Sequence, residues 1–120
     1  MAHEDVIRRV YGLDRTDLDL PATSPIIITA ERATATIVVL RILFAPTTYT
    51  ESVVSFVDRL TGQAIGTMRI PSLAAVDVTH TLFELDFRPT GTSLSTGADL
   101  VVSTTAGAHG RLHVESYQRG

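Results

Sequence analysis

The chain has no cysteine and no tryptophan, and all ten of its basic residues are arginine. The missing cysteines exclude disulfides, thiolate metal sites and cysteine nucleophiles together, so a domain of this size holds itself by packing or by association. Lysine and asparagine are both absent; they share AT-rich codons, and their joint absence fits a GC-rich genome and excludes no chemistry. With three Tyr, four Phe and no Trp, the chain is poor in the aromatics that usually build the platform of a carbohydrate-binding sandwich, which lowers that reading without removing it. A net charge of -3 gives no electrostatic reason for a nucleic-acid partner. No apolar run approaches the roughly 18 residues needed to span a membrane. The opening MAHEDVIRRVYGLDRTD has no apolar centre and does not read as a signal peptide. The expectation is a soluble, unprocessed chain with no membrane partner.

What is abundant is β-branched. Threonine, valine and isoleucine make up nearly a third of the 120 residues. Their stiff χ1 angles suit a pleated surface better than a helix. Residues 25–30 (PIIITA) read as a strand. Residues 34–44 (TATIVVLRILF) read as a long strand at the centre of a sheet, because both faces are largely apolar. Residues 51–58 and 63–70 flank RLTG, a hairpin loop in which Gly62 supplies a positive φ. In 78–87 (VTHTLFELDF), Phe83, Leu85 and Phe87 alternate with Glu84 and Asp86, so one face meets a core and the other is wet. Residues 98–105 and 110–118 close the chain. Seven or eight strands joined by Gly, Pro and Thr turns indicate an all-β protein, an antiparallel β-sandwich or jelly roll over residues 26–120.

The first 25 residues lack this alternation. Residues 4–12 allow a short helix, with Val6, Ile7, Val10 and Tyr11 on one face and Gly12 as C-cap. The acids and two prolines that follow read as an extended arm outside the sandwich. An ordinary frayed terminus is the plainer account. Leu13, Leu18 and Leu20 favour an arm that docks on a neighbouring subunit, since apolar residues in an arm need a surface to cover.

The chemical candidates are few. His109 and His113 stand four apart with Glu115 two further on. On a helix that spacing would present a metal-binding pair, but Gly107 and Gly110 flank the first histidine and the rest alternates as a strand. Arg111, His113, Glu115 and Tyr117 then share one face, which reads first as the polar outer face of a half-buried strand and second as a subunit interface, where Tyr and Arg are favoured. The spacing does not fit the H-x-H…Glu ligand set of cupins. No G-x-S-x-G offers a nucleophile, no Gly-rich loop opens a helix to cradle phosphate, and Glu84 and Asp86 are neighbouring acids on a wet face. The expectation is therefore a building block with no catalytic, cofactor or metal site.

Residues 83–118 carry a distinctive order of turns and core positions. Gly91, Leu94 and Gly97 precede a strand with Leu100 and Val102; Ser103, Ala106 and Gly107 follow; Gly110, Leu112, Val114, Glu115 and Tyr117 end the chain. This third of the sequence resembles small all-β virion proteins of tailed bacteriophages, of the capsid decoration, or cement, type. The resemblance implies a non-enzymatic structural protein made in the host cytoplasm that binds the major capsid protein on the outer head surface, stabilises the shell and associates with itself as a homotrimer. A tail or baseplate module that binds a glycan or receptor through loops such as residues 45–52 is the alternative.

Overall fold

A computed structural model describes residues 13–47, 50–72, 82–105 and 108–120. Nine strands appear among them: β1 (Asp14–Leu20), β2 (Ile26–Ile28), β3 (Thr36–Pro46), β4 (Ser52–Asp58), β5 (Ala64–Ile70), β6 (Phe83–Asp86), β7 (Thr92–Ser93), β8 (Leu100–Thr104) and β9 (Gly110–Arg119). They form two antiparallel sheets. Sheet A runs β1-β9-β3-β6, with β7 also on β3, and sheet B runs β2-β8-β4-β5.

The winding starts from the loop of residues 59–62. Gly62 takes a φ of 74° and its amide donates to the Asp58 carbonyl, closing the β4–β5 hairpin. Three further pairings nest outside that hairpin, β3 with β6 and β7, β2 with β8, and β1 with β9, while β3 with β9 and β4 with β8 join these nested pairs into the two sheets. Because β6 and β7 both pair with β3, they act as one interrupted strand. Eight strands in two four-stranded sheets, wound as one long folded ribbon, are a jelly roll. The sheets approach each other along β1 over β2 and along β5 over β6.

The core lies between the sheets and is built by alternation. Val54 and Phe56 of β4, Leu100 and Val102 of β8, and Leu112 and Val114 of β9 all point into it. Phe83, Leu85 and Phe87 pack on the same core, as their spacing predicts. β3 departs from simple alternation. Its register with β9 slips between Val39 and Arg41, leaving Leu40 as an extra residue. Ile37 and Val39 face the core before this bulge, and Ile42 and Phe44 face it afterwards. Val38 and Leu40 instead join Tyr117 in a second buried cluster, with Leu13 packed against it. The bulge thus explains why the longest apolar run shows no polar face in the sequence: one extra residue switches the inward set from odd to even positions.

One boundary differs from the sequence reading. Residues 14–20, expected in an arm outside the sandwich, form the edge strand β1, paired along its whole length with β9. Leu18 lies opposite Leu112 and Leu20 opposite Gly110; Leu20 is buried in the core and Leu18 packs against it. Alternation was hidden there because the outward positions hold Arg15, Asp17 and Asp19, while the inward set includes Thr16. The helix expected over 4–12, with Val6, Ile7, Val10 and Tyr11, lies outside the described residues.

Candidate functional site

The strip singled out on β9 lies mid-sheet, between β1 and β3. Its outward side chains line up with outward residues on both neighbours. Asp19 stands opposite Arg111, Asp17 opposite His113 and Arg15 opposite Glu115. From the other side, Leu43 faces His113, Arg41 faces Glu115 and Val38 faces Tyr117. On β6, Asp86 lies opposite Arg41 and Glu84 opposite Leu43.

A chain of polar contacts therefore crosses all four strands. Asp17 Oδ1 lies 2.8 Å from His113 Nδ1, and His113 Nε2 lies 3.3 Å from Glu115 Oε2. Arg41 donates through one terminal nitrogen to the same Glu115 oxygen at 2.9 Å, and its other terminal nitrogen lies 3.6 Å from Glu84. Arg111 reaches Asp19 at 3.5 Å at the exposed margin. Glu115 is 5% exposed. Burial pushes its carboxyl up, but hydrogen bonds from Arg41 and His113, with their charges, outweigh burial and hold it below the ordinary glutamate value.

This geometry limits the chemistry. Both ring nitrogens of His113 face carboxylates, which only accept, so only the imidazolium satisfies both partners at once. Neither nitrogen faces a hydroxyl that it could activate. The network is an electrostatic clamp that ties β1, β9, β3 and β6 together. Among the described residues no group of three or more His, Asp or Glu is placed to hold a metal ion.

Two members of the expected interface strip are turned to internal use. Glu115 is held inside the clamp, and Tyr117, 5% exposed, packs with Val38 and Leu40. Arg111 and His113 keep exposed surface. Leu18 and Leu20, expected to cover a neighbour, instead fill this chain's own core, because β1 is a strand of the sheet. Leu13 covers the outer cluster.

The sequence reading did not single out Arg41 or Asp58. Arg41 is the lone charge in a long apolar run, a signal that a buried acid waits opposite. Asp58 is buried at the end of β4. Its Oδ1 accepts from the amides of Leu60 and Thr61, and its Oδ2 accepts from the amide of Ser95. Burial opposes the charge, yet these bonds keep the Asp58 carboxyl below its usual value. Asp58 thereby fastens the β4–β5 turn to the loop that leads into β8. Asp99 does similar work, accepting from the Ala30 amide at 2.8 Å and pairing with Arg59 at 3.2 Å.

The sequence matches no family model and no curated protein. Among solved structures, it is similar to a protein of Bacillus endospore appendages, described as a novel family of disulfide-linked pili. The identity is 16% and the TM-score 0.49, over 90% of this chain and 88% of that one. It is also similar to a chain of the virus-like particle of the giant freshwater prawn Macrobrachium rosenbergii extra small virus, at 15% identity and a TM-score of 0.40, covering 92% and 82%. A chain of tomato aspermy virus gives 10% identity and a TM-score of 0.41, covering 91% and 78%. The strand order, rather than these likenesses, defines the jelly roll.

Proposed function

We propose that this protein is a non-enzymatic structural subunit of a tailed-phage virion, a decoration protein that sits on the outer head surface and binds the major capsid protein. The observation that carries this reading is the use to which its reactive-looking residues are put. His113, Glu115, Arg41 and Asp58 bind one another, neighbouring strands or backbone amides, and each contact braces the sandwich. The C-terminal pattern behind the phage resemblance has the same character. Gly91 and Gly97 take positive φ at turns, and Leu94, Leu100, Val102, Leu112 and Val114 are buried. Jelly rolls occur in viral capsid domains and also in lectins and cupins, so the fold alone supports the reading only by analogy.

In this reading the residues before β1 form the contact arm. They precede β1, an edge strand of sheet A, and Val6, Ile7, Val10 and Tyr11 supply apolar surface for a neighbour. An arm of this kind raises avidity through effective concentration without a large footprint on the globular domain.

Quantitative mass spectrometry of purified virions tests the assignment. Copies near those of the major capsid protein are expected; a few copies per particle would favour a tail or baseplate component, and absence would end the virion reading. Removal of residues 2–12 should weaken head binding while the sandwich stays folded. Undiminished binding by that truncated protein would remove the arm from the account.

A further inference from the structure

The two outer faces of the jelly roll differ in kind. Outside sheet A, acids and arginines alternate across the strands. Outside sheet B, the outward positions are Val53, Ser55 and Val57 on β4, Thr67 on β5, and Val101 and Ser103 on β8. Register puts Ser55 opposite both Thr67 and Ser103, and Val57 opposite Val101. Val53, Ser55, Val57 and Val101 are half-buried and Thr67 and Ser103 are exposed, while their inward neighbours Val54, Phe56 and Leu100 are fully buried. Among the described residues of these four strands, Arg69, toward the β5 edge, is the charged side chain on this face.

We infer that the outer face of sheet B is a self-association surface on which a second copy of this chain stacks sheet to sheet about a two-fold axis. Charge selects this occupant. A short-branched, hydroxyl-bearing, nearly uncharged face meets its own copy without burying an unpaired ion, and a two-fold contact is self-complementary by construction. The sheet A face suits such a stack less, because it would bury Asp17, Asp19, Glu84 and Asp86 together with Arg15 and Arg111, at a desolvation cost that pairing would have to offset. Size sets the strength. Four strands of three to seven residues give a face of about 19 by 20 Å at most, so two such faces stacked about 10 Å apart cover about 760 Å² in projection, below the ~1,200 Å² of stable complexes and in the range of weak, transient contacts. The contact is therefore weak for a free pair and becomes effective where copies are concentrated. The inference concerns the isolated chain and stands apart from the virion assignment.

Sedimentation of the whole protein from about 5 to about 500 μM tests it, a range chosen for a small interface. The mass should rise from the 13.0 kDa monomer toward twice that value. Ser55→Glu and Val101→Glu should each weaken association at least tenfold, while Asp19→Ser on the other face should leave it unchanged. Amide shifts of the unaltered protein, followed by NMR on dilution, should move on β4, β5 and β8 and stay still on β1 and β9, which gives a readout that needs no variant to fold. A monomer throughout the range, a trimer, association indifferent to both face substitutions, or dilution shifts centred on sheet A would each overturn the inference. So would loss of head binding by a Ser55→Glu protein whose parent is monomeric, since that would give the face to a different partner.

Discussion

Arg41 stands opposite Glu115 one residue past the Leu40 bulge, and its guanidinium donates to the Glu115 carboxylate at 2.9 Å. Without the extra residue, Arg41 would fall on the core side of β3. The bulge and the ion pair therefore depend on each other. Arg41→Met should destabilise the fold by about 2–4 kcal/mol, because it leaves a buried carboxylate with only His113 beside it. Arg41→Met with Glu115→Leu should recover much of the loss, since an apolar pair avoids the desolvation cost. Urea unfolding of the two single variants and the double variant measures the coupling; additive losses would show that the pair does not act as a unit.

Acid should unfold this protein through Glu115 and Asp58. Both carboxyls lie below their ordinary values of 4.5 and 3.8 in the folded chain. Their contribution is therefore complete above those unfolded values and is lost as pH falls through the lower folded ones. The urea midpoint should drop below about pH 4.5, and Asp58→Asn together with Glu115→Gln should flatten that drop while lowering stability at pH 7. An unaltered midpoint at pH 3 in the parent protein would contradict the linkage.

Gly110 opens β9 where β3 passes closest. A Cβ there would meet the Ala45 carbonyl oxygen, with Pro46 Cα at 2.7 Å and Phe44 Cε1 at 2.8 Å. Two of these three atoms are backbone and cannot swing aside. Gly110→Ala should cost about 1–3 kcal/mol, as other overpacked positions do, and should loosen β1, whose Leu20 pairs with Gly110. Hydrogen exchange of the β1 amides reports this directly; unchanged protection would place the strain elsewhere.

The boundary of the arm gives the fourth expectation. Leu20→Ala should destabilise by about 2–4 kcal/mol, the loss typical of a buried leucine. Truncation to residue 12 should leave a cooperative thermal transition, whereas truncation to residue 25 should abolish it. A folded protein lacking all 25 residues would return β1 to the arm.

The all-β class followed from the sequence because β-branched content and period-2 alternation are local properties. Phe83, Leu85 and Phe87 were assigned to the core from spacing alone, and Gly62 marked its turn because few other residues take that backbone angle. The outward set of β9 was equally legible, since a strand turns every second side chain to the same face. Three things were not local. β1 became a strand because β9 offered it a hydrogen-bonding edge and Leu112 a partner for Leu18. Arg41 became a clamp because a bulge re-aimed it at an acid 74 residues away. The contrast between a charged outer face and a neutral one arose only when nested pairing brought β4, β5 and β8 side by side. Alternation tells a side chain which face it occupies, but only the pairing of distant strands decides which neighbours share that face.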